Sequence, residues 1–308
     1  MNPSGAAVRT NVHPGRAWKD LVDAALPKIV LGPTLLCALL FIYGFIVWTA
    51  WLSFTESRLL PRYEFAGLIQ YVRLFESERW WTALTNLGLF ACLFIGLCMV
   101  AGLLLAILLD QRIRAEGFLR AVYLYPMALS FIVTGTVWRW ILNPGLGFQH
   151  LMRQIGFESF TFDWIVTPGM SIYAVAIAGV WQSTGFVMAL FLAGLRGVDD
   201  AIIKAAQVDG AGPVRIYTRI VIPSLRPVFF SALIILAHIA IKSFDLVMAL
   251  TGGGPGFSSD LPAIFMYTFA FNRNQIGLGA ASAMMRLMTV IAVVVPMMYS
   301  ETRRHHHG

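Results

Sequence analysis

The stretch VDDAIIKAAQVDGAGPVRIYTRIVIPSLRP, from Val198 to Pro227, is a polar, helix-forming island between two apolar runs, each long enough to cross a bilayer. Within it Ala205, Ala206, Gly210, Ile220 and Pro223 stand at the spacing A-A-x-x-x-G-x9-I-x-[LI]-P. The alanines favour helix and let another surface come close, and Gly210 permits a sharp turn after one short helix. A segment of this kind, held outside the membrane between two spans, is suited to docking a second chain.

The rest of the chain agrees with that setting. It has 308 residues, of which 58% are hydrophobic and 13% charged, with a mean hydropathy of +0.71, values of an integral membrane protein rather than a soluble enzyme. The formal charge is +7, but the basic residues are scattered through loops and form no continuous arm, so nucleic acid is not the expected partner. Cys37, Cys92 and Cys98 lie inside apolar runs without metal-type spacing, and the closing histidines alone make no metal site. No metal is expected.

Six runs are long enough to span as helices: Ile29 to Leu52, Leu84 to Leu109, Leu119 to Leu142, Met170 to Leu195, Pro227 to Leu250 and Leu278 to Tyr299. The first follows Arg16, Lys19 and Lys28 as a signal peptide would, but it is too long and lacks a cleavage pattern, so it reads as a retained anchor. Of the 23 Lys and Arg residues, 14 fall in the two tails and the loops joining spans two to three and four to five. Only 7 fall in the other loops, and Lys242 and Arg286 lie within spans. The positive-inside rule then puts both termini and the 198 to 227 loop in the cytoplasm. The expected organisation is a cytoplasmic tail over 1–28, one transmembrane domain over 29–299 with its loop at 196–226, and a second tail over 300–308.

The loop pattern resembles the cytoplasmic loop of permease subunits of ATP-binding-cassette (ABC) importers, where a short helix sits in a cleft of the ATPase subunit and passes its movement to the membrane. FDLVMALTGGGPGFSSDLPAIFMYTFAF, from Phe244 to Phe271, is similar to the segment after the fifth core helix in carbohydrate-importer permeases, where T-G-G-G-P recurs. WQSTGFVMALFLAGL, from Trp181 to Leu195, fits the same family, and the likeness runs over roughly residues 80 to 300. In detail, ALTGGGPG, FMYTFAF and GLGAASAM look closest to permeases for glucose, mannose and related sugars.

The resemblance implies an all-α integral membrane protein of six transmembrane helices, type I importer permease-like, with a cytoplasmic coupling helix between spans four and five. It implies no catalytic residues and no cofactor on this chain, with ATP and Mg on the partner ATPase subunits. The partners implied are a second permease as a heterodimer, two ATPase subunits and a periplasmic or extracellular sugar-binding protein, at a bacterial inner membrane. The coupling residues carried over are Lys204, Ala205, Ala206, Asp209, Gly210, Ile220 and Pro223. The family usually has glutamate where this chain has Lys204. That contact is lost, moved to Asp200 or Asp209, left to the second permease, or replaced by a solvated lysine.

The chain has no G-x-x-x-x-G-K-[ST], so ATP acts through another chain, and Gly252-Gly253-Gly254-Pro255-Gly256 lacks the helix and lysine of a nucleotide site. Candidate path residues lie within the spans. His238, Lys242 and Asp245 follow i, i+4, i+7 on one expected helix, and Arg286 lies in span six. Lys242 and Asp245 fall roughly 23 to 27 Å from the cytoplasmic end of span five, at a depth similar to that of Arg286. Ionisable residues at such depth border a wet cavity or hold helices together as a polar network. In span four, Trp181, Gln182, Ser183 and Thr184 offer an aromatic face and hydrogen-bonding groups for a sugar, though one turn can aim at most two of them one way. Trp138, Arg139 and Trp140 read as an aromatic belt.

Two other readings keep the membrane setting. In an ion-coupled secondary transporter, Asp245 and His238 would relay protons, but six spans without a repeat and an ATPase-docking pattern argue against it. An ABC importer for a non-sugar solute keeps the architecture, and the TGGGP segment argues against that.

Overall fold

The computed structural model describes residues 28, 30–60, 62–111 and 114–305. The expectations for the N-terminal tail before Lys28, for Arg112 and for the last three residues concern positions outside them. The chain divides into two units, Met1–Trp51 and Leu52–Gly308. In the first unit the apolar run folds as the helix α1 (Val30–Ser53), which ends just past the boundary and includes a wider π-turn over Leu39–Tyr43.

The second unit is helical. A short α2 (Ile69–Glu76) precedes α3 (Glu78–Asp110), and α7 (Ser171–Arg196) packs along α3. Phe90, Phe94, Cys98, Gly102 and Ala106 recur about every fourth residue on the buried face of α3. A Cβ on Gly102 would stand 2.7 Å from Val187 Cγ1 on α7. Lipid supplies no hydrophobic drive between helices, so small residues that let backbones approach are what hold such a pair. The outward apolar side chains of α3, such as Val100, Leu104 and Leu108, are the surface a bilayer would solvate.

Among the described residues, α1, α3, α7 and Ile276–Val293 of the last helix, α13 (Ile276–His305), are long and apolar enough to cross a membrane. Two further apolar stretches are bent helix pairs, which bring the possible crossings to six if each pair contributes one. Span three, expected as one helix over Leu119 to Leu142, is α4 (Glu116–Ala128) and α5 (Phe131–Ile141), meeting at 100°. Pro126 tightens the end of α4 into a 3-10 turn, and Ser130 restarts the chain by accepting a hydrogen bond from Val133 N at 3.3 Å. α9 (Pro213–Ser224) and α10 (Arg226–Lys242) meet at 62°, with Pro223 and Pro227 on either side of the bend.

Span five is also shorter than expected. The run Pro227 to Leu250 stops at Lys242 and resumes as α11 (Asp245–Leu250), with Ser243 at φ −58°, ψ 108°. A second core joins Leu74, Trp80, Phe265, Phe269 and Leu278, tying α2 and the start of α3 to α12 (Pro262–Tyr267) and α13.

Candidate functional site

The loop between spans four and five carries a complete, well-terminated helix, α8 (Asp200–Val208). Asp199 opens it, its carboxylate accepting from Ala201 N at 2.8 Å, and Asp200 adds a negative charge to the first turn. At the other end Gly210 has φ +77°, Gly210 N donates to Gln207 O at 3.1 Å and Ala211 N donates to Ala206 O at 2.9 Å. These are the two paired bonds of a Schellman end, whose left-handed residue is glycine by preference.

The two alanines have different jobs. Ala206 is buried and faces the subunit, whereas Ala205 is exposed beside Lys204 and Asp209. Lys204 makes no ion pair with a described residue. Nothing lies within 4 Å of where a Cβ on Gly210 would sit, so the turn is open outward. Behind α8 is a cavity of about 270 Å³ bordered by Ile203, Gln207, Tyr217 and Asp110, where Tyr217 Oη donates to Asp110 Oδ2 at 3.3 Å. Ile220 and Pro223 are half-buried in α9, the element that leads to the bend before α10.

At the break in span five, His238, Lys242 and Asp245 are exposed and border one cavity of about 230 Å³ together with Phe131 and Phe244. They do not share one face of one helix, because the break between Lys242 and Asp245 resets the helical phase. Lys242 and Asp245 form no ion pair. Nor does Arg286 reach Asp245. Its Nε donates to Ile241 O at 3.2 Å, a carbonyl in the last turn of α10 that the break leaves without a helical donor.

Span four divides similarly. Trp181 is 42% exposed and meets Trp138 edge-on at 5.9 Å. Gln182 is buried, and its Nε2 donates at 2.7 Å to Leu129 O, the carbonyl at the elbow of span three. Thr184 Oγ1 donates to Val180 O at 2.6 Å within its own helix. Gly185 lies so close to the backbone of Tyr123 that a Cβ would collide with the carbonyl there. Gln182 and Gly185 thus seat the elbow, and of the turn only Trp181 faces outward among the candidates.

Residues 98–301 match the model of one family, the binding-protein-dependent transport system inner membrane component. The chain belongs to that family. It is 38% identical over 278 residues to a probable ABC transporter permease protein of Pyrococcus horikoshii, covering 89% of this chain and 95% of that one. It is 35% identical over 267 residues to the xylose/arabinose import permease protein XacH of Haloferax volcanii, covering 85% and 84%. The fold is similar to that of a bacterial ABC transporter involved in import of the acidic polysaccharide alginate, with a TM-score of 0.81 at 21% identity over 94% of this chain and 99% of that one. The permease is therefore a multi-pass inner-membrane transport subunit of type I fold, not an enzyme, and it belongs to a system that depends on a binding protein.

One constellation in the permease escaped sequence reading. Arg79, at the start of α3, donates from Nε to Asp260 Oδ2 at 2.6 Å and from Nη2 to Thr268 Oγ1 at 3.2 Å, while its guanidinium lies 4.4 Å from the Phe257 ring centroid. Asn86 holds the same loop, donating to the carbonyls of Phe257 and Asp260 at 3.0 Å each. Burial pushes the Asp260 carboxyl above the usual carboxylate range, against the opposing pull of Arg79. The loop that follows the TGGGP stretch is therefore fixed to the Arg79 end of α3. The partners are 181 residues apart, and no local pattern links them. Among the described residues no group of His, Cys, Asp and Glu could hold a metal ion.

Proposed function

We propose that the permease is one of two membrane subunits of an ATP-driven sugar importer, pairing as a heterodimer and working with two ATPase subunits and an external sugar-binding protein. The observation that carries this reading is the α8 helix, with its Ala205-Ala206 pair and left-handed Gly210, set between spans four and five. In this mechanism ATP, with Mg, closes the ATPase pair, α8 moves with it, and α9 and α10 carry that movement to the break in span five. Hydrolysis resets the inward-facing state. Both termini and the 196–226 loop are cytoplasmic, and the coupling residues are Lys204, Ala205, Ala206, Asp209, Gly210, Ile220 and Pro223.

The substrate class follows from two supports. XacH is a xylose/arabinose permease and the fold neighbour imports alginate. The finer reading is glucose, mannose or a related mono- or oligosaccharide, on the likeness of ALTGGGPG, FMYTFAF and GLGAASAM. The sugar passes the cavity at His238, Lys242 and Asp245, with Trp181 as an aromatic wall, while Gln182, Thr184 and Arg286 shape the path from behind. Here the exposed cation and carboxylate recover hydrogen bonds that a sugar loses with its water.

The test is reconstitution of the permease with its partner subunits in proteoliposomes. ATP-dependent, protonophore-insensitive uptake of labelled hexose supports the reading. Uptake without an ATPase, driven by a proton gradient, would sink it in favour of an ion-coupled carrier. Cysteines introduced in α8 and labelled from one side only check the topology separately.

A further inference from the structure

At the start of α10 an open groove of about 450 Å³ is bordered by Met99 on α3 and by Arg226, Phe229, Phe230 and Leu233 on α10. Four of these five side chains are apolar, and the charged one stands at the groove's end, where α10 begins. Arg226 is exposed and makes no ion pair with a described residue. The first turn of α10 contains no acidic residue, and no side chain caps it. A cation there opposes the positive end of the helix dipole, an arrangement that an anion bound at the same place would relieve.

We propose that this groove holds an anionic phospholipid, its headgroup on Arg226 and a length of acyl chain along Phe229, Phe230, Leu233 and Met99. The argument is charge complementarity joined to place. The wall is apolar below a single guanidinium, at the membrane boundary of a span. Basic pockets between transmembrane helices on the cytoplasmic side are sites where acidic headgroups lodge. A free phosphate would use the guanidinium but leave the apolar wall unfilled. The groove shares no lining residue with the cavity at Lys242, so the lipid site is distinct from the cavity assigned to the sugar. Its assignment to the inner leaflet rests on the topology proposed above, whereas its chemistry does not.

The experiment uses the assembled transporter in nanodiscs of phosphatidylcholine with an equal share of phosphatidylglycerol, reading by native mass spectrometry which lipid stays bound. Wild type is expected to enrich phosphatidylglycerol roughly fivefold, the size of one guanidinium–headgroup contact. Arg226→Gln should abolish the enrichment. Leu233→Trp, which fills the groove with the charge intact, should do the same, with Met99→Phe as a gentler filling from the opposite wall. Arg58→Gln, an equal loss of charge in an outer loop, should keep it. Enrichment that survives both Arg226→Gln and the groove-filling changes overturns the proposal. So does loss on Arg226→Gln alone with both filled variants unchanged, which would mean a headgroup held without a groove. Displacement of the lipid by inorganic phosphate at equal concentration would also overturn it, marking a free-anion site. Retained lipid is read without transport, so a failure of the sugar-import reading leaves this result standing.

Discussion

Replacing Gly210 separates the geometry of the coupling helix from its docking. The residue sits at φ +77°, and nothing lies within 4 Å of the position a Cβ would take, so within this subunit an added side chain costs backbone strain and no clash. A non-glycine residue in that conformation costs about 1–2 kcal/mol, which is roughly five- to thirtyfold in an equilibrium. Escape from the strain would sacrifice the bonds from Gly210 N and Ala211 N that close the helix. Gly210→Ala is therefore expected to lower ATP-dependent uptake about five- to thirtyfold. Asparagine, which tolerates the left-handed region, should fall between glycine and alanine, and valine should be worst. Gly210→Trp carries the backbone strain of alanine plus bulk on the open side, so its further loss reports how closely an ATPase surface approaches. The assay is uptake in proteoliposomes together with the ATPase retained on purification. Alanine at the wild-type rate would refute the argument from the helix end, and tryptophan equal to alanine would mean that no partner surface closes on this turn.

Other outcomes follow from single contacts. Lys204 is exposed without an ion pair to a described residue, so Lys204→Glu should leave the isolated permease unchanged and alter only ATPase binding, with a difference that shrinks as salt rises; identical binding at every ionic strength removes the contact. Arg79→Met should lower thermal stability by about 3 kcal/mol, and adding Asp260→Asn should recover part of that, because a lone buried carboxylate costs more than none. The pH dependence has a definite sign. Burial already raises the Asp260 carboxyl, a raised carboxyl contributes stability below its unfolded value, and that contribution is lost as pH rises through the folded one. Without Arg79 the shift grows, so the melting temperature of Arg79→Met should drop more steeply than that of wild type between mildly acidic and neutral pH, and parallel curves would contradict this. Lys242→Met and Asp245→Asn should each lower uptake, and since no ion pair joins the two side chains the double change should not recover activity relative to either single change; recovery in the double would show that they pair during the cycle.

The helix α8 was readable because its signals are local. An aspartate precedes it, alanines fill it and a glycine follows it, all within a dozen residues. The four long apolar helices were readable for the same reason, as uninterrupted apolar runs. The elbow in span three had a faint cue in Pro126 and Ser130, but an apolar window averages over such residues. The break in span five had none, for Lys242-Ser243-Phe244-Asp245 contains neither glycine nor proline, and the non-helical turn at Ser243 and Phe244 goes with the distant packing of α11 on α5. The Arg79–Asp260 contact joins residues 181 apart in the sequence, so neither periodicity nor spacing could reveal it.

The breaks also change what a polar residue within a span signifies. Each interruption frees carbonyls that lipid cannot satisfy, and the chain must supply donors for them. Gln182 does so for Leu129 and Arg286 for Ile241, at 2.7 and 3.2 Å, so polarity at depth does not by itself mark either as a path residue. Backbone accounting comes first, and only the polar groups left over by it are candidates for substrate. His238, Lys242 and Asp245 are left over. All three are exposed, border one cavity and have no ion pair within the described chain. Keeping a lysine and an aspartate unpaired at this depth is costly unless water, sugar or the second permease completes them, so these three, ahead of Gln182, Thr184 or Arg286, are where altered sugar affinity should be sought.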